Sequence, residues 1–256
     1  MSAHVGSKWR KTNALKKDKH VVQYIPETTR MNKASLNSLL HKYGMVYIKP
    51  EHGTYGNGVM RVDRLMSGYR YQLDKKINTF ASFPAMYASI HKDTKGKRYL
   101  VQRGINLLKF KGRRFDLRVM VQLSPSKQWE TTGIIGRLAN KRKIVTNYHS
   151  GGEIVTAERL LAPHTKLVRS KLQSLAKLGV RTGRTMNKSF PRVYKIGLDI
   201  ALEKDFKPWI LEVNTSPDPY IFLKHPDRSI FRKIQRYERA HHKKSSSRSV
   251  QDPLVQ

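Results

Sequence analysis

Apolar residues follow two rhythms along this chain, and each predicts an element. Leu36, Leu39, Leu40 and Tyr43 recur at three- and four-residue intervals before Gly44, so a helix is expected over Thr29 to Tyr43 with the glycine as its stop. Val46-Tyr-Ile-Lys49 is then a short strand halted by Pro50, and strand character resumes over Val59-Met-Arg-Val62. Tyr99 to Ile105 reads as a strand with a polar exit at Gln102. Phe115 to Leu123 alternates, with Asp116, Arg118, Met120 and Gln122 on one face and Leu117, Val119, Val121 and Leu123 on the other. Lys195 to Asp199 and Trp209 to Asn214 are two further strands. By the same period, Trp209, Leu211 and Val213 face one side, and Ile210, Glu212 and Asn214 the other. Leucines at 160, 161, 167, 172, 175 and 178 predict a helix around Ala157 to Leu178, interrupted by Pro163. A last helix spans about Arg228 to His241.

These elements divide the chain. Residues 1–29 read as a basic arm, 30–98 as a small α/β lobe, 99–240 as a larger lobe, and 241–256 as a disordered basic tail too poor in apolar residues to fold. No internal repeat is visible.

Chemistry concentrates at strand ends. Glu212 and Asn214 would emerge on one face about 7 Å apart, and Asp199 closes an apolar run that a neighbouring strand could bring beside them. Two carboxylates and an amide oxygen form a hard-oxygen set of the kind Mg²⁺ accepts when it also binds phosphates; an edge strand with solvated acids is the alternative. Upstream, Lys49-Pro50 precedes Gly53, Gly56 and Gly58 before a second strand. Glycines so spaced let backbone N–H groups approach an anion, although a plain turn has the same composition. The loop joins two strands and lacks the Gly-x-x-x-x-Gly-Lys-Ser/Thr order, so it is no Walker A loop, and it is not the dinucleotide fingerprint. Asp116 and Arg118 fit a buried ion pair or a site, and Arg137 and Asn147 stand near a strand end and a Gly151-Gly152 turn.

Composition adds a second theme. The 256 residues include 51 Lys and Arg against 18 Asp and Glu, a net charge of +33. That excess attracts polyanions, so contact with nucleic acid, an acidic protein or an anionic surface is one reading, and non-specific stickiness another. No RNP string or zinc spacing marks a nucleic-acid module. The chain has no cysteine, which excludes disulfides and a thiol nucleophile and fits an intracellular setting. No apolar run approaches a membrane span, and Met1 to His20 lacks the apolar core of a secretory signal.

The order Lys49-Pro50, glycine flap, Gln102 strand, Asp116-Leu-Arg118-Val, Arg137, Asn147 with Gly151-Gly152, Asp199, Glu212-Val-Asn214-x-Ser216-Pro217 resembles the ATP-grasp superfamily, in the branch of the ribosomal-protein glutamate ligases. It is closer still to the YheC/YheD family of spore-coat-associated ATP-grasp proteins, through Phe115 to Gln122, Trp129 with Thr132-Gly133, and the Asn147 to Gly152 spacing. The resemblance covers about residues 30–235. It implies an α/β (α+β) ATP-grasp fold of two lobes with the nucleotide between them. It departs from the superfamily in having only about thirty residues before the small lobe, so the usual preceding domain is largely absent and acceptor binding would fall to a partner. It further implies a cytoplasmic, spore-coat-associated carboxylate–amine ligase using ATP and Mg²⁺ and releasing ADP. Lys49 would meet the phosphates, Gly53, Gly56 and Gly58 would close over them, and Gln102 and Ile105 would line the adenine slot. Asp199, Glu212 and Asn214 would hold Mg²⁺. Arg118 and Arg137 would contact the transferring phosphoryl group or the acceptor carboxylate, with Asn147 and Gly152 near the acceptor site. A coat protein that binds ATP without turning it over, and a polyanion-binding basic protein, are the alternatives.

Overall fold

The computed structural model describes residues 2–146 and 151–246, the last five, 242–246, by backbone alone. Within them two antiparallel sheets face each other across a cleft, and each buries its outer face beneath helices.

The first sheet has the order β1-β6-β2-β3-β4-β5. Its strands are β1 (Thr28–Arg30), β2 (Met45–Pro50), β3 (Met60–Arg64), β4 (Tyr69–Leu73), β5 (Lys76–Phe80) and β6 (Tyr99–Arg103). Two helices, α2 (Lys33–Tyr43) and α3 (Phe83–Thr94), cover its back, packing Leu36, Leu40, Met86 and Ile90 on Val46, Ile48, Val62 and Val101. Alternation turns Tyr47, Lys49 and Gln102 to the cleft. Helix α2 starts at Lys33, later than the expected start at Thr29. Thr28–Arg30 pair with β6, and Asn32 and Ser35 form a reciprocal capping box that sets the helix start. Gly44, at φ 70°, ends it as expected. Strand β6, grouped above with the larger lobe, lies between β1 and β2, because Val101 belongs to the core beneath α2.

The second sheet runs β10-β9-β8-β11-β12, with β7 (Lys109–Phe110) pairing to β8. Here β8 is Arg113–Leu123, β9 Trp129–Leu138, β10 Glu153–Val155, β11 Lys195–Leu202 and β12 Pro208–Asn214. Leu117, Val119, Val121, Ile196 and Leu198 face a core closed by helix α5 (Val168–Ser189). A Cβ at Gly183 would lie 2.5 Å from the Trp129 ring and one at Gly179 2.9 Å from Val121, so these glycines let α5 settle onto the sheet. The single helix expected over Ala157 to Leu178 is two, α4 (Ala157–Leu161) and α5, with Pro163 in the break. On the opposite face, α6 (Arg228–Ser246) and the turn carrying Phe222 cover Met120 and Ile135.

Two further expectations change. The N-terminal arm contains α1 (Lys8–Lys16), which buries Ala14 and Leu15 in the second-sheet core. Strict alternation also fails in β12. The pairing slips between Asp199↔Glu212 and Ile200↔Ile210, leaving Leu211 as an extra residue. This bulge puts Ile210 in the core with Val213, while Leu211, Glu212 and Asn214 line the cleft. Residues 247–256 of the expected tail lie outside the described residues. No helix among the described residues is long and apolar enough to cross a membrane.

Candidate functional site

A cavity of about 240 Å³ opens between the sheets. Lys49, Gly53, Gly56, Gln102, Ile105, Arg118, Arg137, Asp199, Glu212 and Asn214 all line it, though they are drawn from distant parts of the chain. Three expected residues do not join them. Gly58 supports the flap stem instead: its φ is 73°, and a Cβ there would lie 2.9 Å from the Tyr99 hydroxyl and 3.1 Å from Pro50. Gly152 does not line the cavity, and Asn147 lies outside the described residues.

The second-sheet wall is a chain of buried ion pairs. Asp116, Arg118 and Asp199 come from adjacent β8 and β11, where Asp199 is opposite Arg118, and Arg137 is opposite Asp116 on β9. Arg118 Nε donates to Asp199 Oδ1 at 2.7 Å, and an Arg137 Nη lies 2.9 Å from Asp199 Oδ2. Arg137 Nε also donates to Asp116 Oδ1 at 2.8 Å, and Thr146 donates to Asp116 Oδ2 at 2.7 Å. Burial opposes ionisation of Asp199, but Arg118 and Arg137 prevail and hold its carboxyl below the usual range. Burial likewise disfavours the Arg137 cation, and Asp116 with Asp199 more than offsets it, raising that pKa. Gly197 makes room here, since a Cβ would lie 2.7 Å from Pro217 and 3.2 Å from the Arg118 stem. Arg118 uses only its Nε on Asp199, and its two Nη groups have no hydrogen-bond partner among the described residues.

The first-sheet wall is built from lysines. Lys49 Nζ donates to Gln102 Oε1 at 2.6 Å and lies 3.3 Å from the Leu211 carbonyl. Gln102 is held in turn by donating to Thr28 Oγ1 at 2.9 Å. With neutral oxygens as its direct partners, Lys49 is dominated by burial, which lowers its pKa to about 8 despite Glu212. Lys8 from α1 also reaches in: its Nζ donates to the Gly53 carbonyl at 2.8 Å and lies 3.8 Å from Glu212 Oε1. The sequence reading missed Lys8. It lay in a segment read as a solvated arm, and its only local signal is Ser7, the N-cap that accepts from Arg10 N–H. Leu107, Leu211 and Thr146 are further lining residues that no motif marked, and Ser216, quoted within the Glu212 to Pro217 motif without a role, lines the cavity as well.

The donor set suits a hard cation. Glu212 and Asn214 sit two apart on β12, and Asp199 is directly opposite Glu212. Among the described residues the Asn214 amide has no partner and Glu212 only the distant Lys8 amine, whereas both Asp199 oxygens already accept from arginine. No cluster of three His, Cys, Asp or Glu suited to a metal occurs among the described residues. With the Asn214 amide, Asp199 and Glu212 would make an all-oxygen set, whose chemistry fits Mg²⁺ better than a softer metal.

Over 229 residues the chain is 26% identical to the endospore coat-associated protein YheD of Bacillus subtilis (strain 168), covering 86% of this chain and 50% of YheD. It is 24% identical to the endospore coat-associated protein YheC of the same strain over 216 residues, covering 82% of this chain and 59% of YheC. The chain thus spans about half the length of these relatives. Among solved structures, the C-terminal domain of Pby1 from K. lactis, described as an ATP-grasp enzyme interacting with the mRNA decapping enzyme Dcp2, is similar at a TM-score of 0.48 and 14% identity, over 91% of this chain and 72% of that one. A family model for YheC/D-like ATP-grasp proteins matches residues 1–240, which takes in both sheets, the flap and every described residue of the cleft, and the chain belongs to that family.

Proposed function

We propose that this chain binds Mg²⁺-ATP between two lobes, each formed by one sheet and its helices, and uses it to join a carboxylate to an amine. The carrying observation is that one cavity collects Gly53, Gly56 and Lys49 from one side, and Asp199, Glu212, Asn214 and Arg118 from the other. Lys49 and Lys8 set positive charge where phosphates would lie, and the backbone of Gly53 to Gly56 closes over them. Gln102, Ile105, Leu107 and Leu211 offer an apolar slot with a polar edge for adenine. Glu212, Asn214 and Asp199 would hold Mg²⁺, which when bound neutralises charge on the phosphates.

In the first step a carboxylate oxygen of the acceptor attacks the γ-phosphorus, the bond to the β-phosphate oxygen breaks, and ADP leaves. Arg118, whose Nη groups are left free by its Nε contact to Asp199, would bind the transferring phosphoryl group or the carboxylate bidentately. In the second step an amine nitrogen attacks the acyl carbon, inorganic phosphate leaves with its electron pair, and the nitrogen gives up a proton. No side-chain nucleophile takes part, so the protein acts through position and charge. Arg137, held by Asp116 and Asp199, acts as a positioning residue for Asp199. The relatives' names point to the spore coat as the setting.

Thermal unfolding with and without Mg²⁺-ATP tests the binding, and hydroxylamine trapping of an acyl-phosphate tests the chemistry. A stabilising shift that needs Mg²⁺ and is lost in the Asp199→Asn, Glu212→Gln variant supports the reading. No shift in the wild type overturns it.

A polyanion-contact reading has its own observation. Exposed Arg228, Arg232, Arg236 and Arg239 form one stripe on α6, while nearby Glu238 pairs inward with Lys195 and Glu130 with Lys233. This outward charge predicts steeply salt-dependent binding to nucleic acid, independent of Glu212.

A further inference from the structure

Among the described residues, one buried side-chain oxygen lacks a hydrogen-bond partner: Oε2 of Glu51. Glu51 is 4% exposed and follows Pro50 at the root of the glycine flap. Its other oxygen accepts from Ser7 Oγ at 2.6 Å, and its backbone carbonyl accepts from Lys8 N–H at 3.0 Å. Lys8 then extends its amine to the Gly53 carbonyl and toward Glu212. The nearest basic side chains do not explain the carboxylate. Arg98 Nε and His52 Nε2 each lie 3.8 Å away on side chains 73% and 60% exposed, where an ion pair contributes little. A buried carboxylate with half its bonding capacity unused is costly to keep and calls for a reason. The reason on the page is connectivity: this side chain meets both the flap root and the start of α1.

We propose that Glu51 is a positioning residue that locks the Ser7–Lys8 turn to the flap root, so that Lys8 and the flap respond to nucleotide as one body. This rests on the reading of the cleft as a nucleotide site. Docking of residues 3–16 and nucleotide binding are then reciprocally linked: whatever affinity the docked segment adds for nucleotide, nucleotide adds for the docked segment. The segment has the contacts to act as a unit, since Val5 N–H donates to Thr215 Oγ1 and Ala3 N–H to the Arg192 carbonyl on the second-sheet side.

The test is calorimetric titration with Mg²⁺-ATP, together with amide exchange over residues 3–16 with and without nucleotide. The variants are Glu51→Ala, Glu51→Gln, Ser7→Ala, Lys8→Ala and the Glu51→Ala, Lys8→Ala double. Glu51→Ala and Lys8→Ala should each weaken binding about tenfold, and the double should be no weaker than Lys8→Ala alone. Glu51→Gln keeps an oxygen for Ser7 and should stay within about threefold of wild type. Exchange over 3–16 should slow on adding nucleotide in wild type and Glu51→Gln, but not in Glu51→Ala. If Glu51→Ala does not fold, Ser7→Ala removes the same bond from its other end and should show the same loss. The proposal is overturned if wild type binds Mg²⁺-ATP while Glu51→Ala or Ser7→Ala binds equally well, or if the Glu51 and Lys8 losses multiply. A wild type that binds no nucleotide is a different result, and it defeats the nucleotide reading and this proposal together.

Discussion

On the second-sheet wall of the cleft, Arg137 lies between Asp116 and Asp199, and Arg118 meets Asp199 from the other side. On the first-sheet wall, Lys49 touches only neutral oxygens, and Lys8 approaches a carboxylate no closer than 3.8 Å. The first arrangement balances two arginines with two aspartates, and its geometry does not depend on a ligand. The second keeps cations short of counter-charge, and burial has already lowered the Lys49 pKa to about 8. Lys11, buried beside them, is lowered for the same reason. One wall therefore supplies a fixed frame, and the other a set of cations that an anion would stabilise. The difference teaches where stability and where affinity reside.

Breaking the frame should have the largest effect. Arg137→Ala leaves Asp116 and Asp199 buried without their shared partner and should cost about 3–5 kcal/mol in urea unfolding. Lys49→Met, by contrast, should leave stability nearly unchanged, because it removes a buried cation without stranding a counter-charge. Equal losses for the two would erase the contrast between the walls.

Next comes the ligand. Mg²⁺-ATP at a hundred times its dissociation constant should stabilise the wild type by about 2.7 kcal/mol. Glu212→Gln should abolish that gain while shifting the midpoint of the free protein little, as Glu212 has only one long contact to Lys8. A variant that keeps the full nucleotide shift would remove Glu212 from the Mg²⁺ set.

The lysine wall should also show itself in pH. Lys49 has a folded pKa of about 8 against 10.5 for the free side chain. Between those values the unfolded chain holds the proton and the folded one does not, so stability rises with pH across that window. The slope from this one group is at most about 1.4 kcal/mol per pH unit. Nucleotide affinity should move the opposite way, falling above pH 8 as the amine loses its charge. Both trends should be missing in Lys49→Met, and a pH-independent difference between the two proteins would contradict the assignment.

The smallest effect lies outside both walls. Asn32→Ala removes the capping box of α2 and should cost about 1 kcal/mol, without altering nucleotide binding. A change in affinity from that variant would mean that the helix layer behind the first sheet also tunes the site.

Much of this molecule was legible before its structure. Alternation in Phe115 to Leu123 assigned Asp116 and Arg118 to one face, and that face is the cleft wall. Gly44 stopped α2, and the glycines after Pro50 marked the flap. These features depend on local backbone preference and on a period of two or 3.6, which neighbouring residues carry by themselves.

What tertiary structure decided depended on partners far along the chain. Thr28–Arg30 became a strand because β6 offered an edge, and α1 folded in because the second-sheet core had room for Ala14 and Leu15. The bulge at Leu211 sent Ile210 into the core and left Glu212 at the cleft, a slip set by pairing with β11 that no residue in β12 announces. Lys8 entered the site only because Glu51 and Thr215, 43 and 210 positions from their respective partners Lys8 and Val5, tied its segment down. Sequence by itself determined which side chains share a face wherever an element stays regular, since that follows from local geometry; the bulge in β12 and which faces meet depended on burial and pairing between distant segments, which only the folded chain can satisfy.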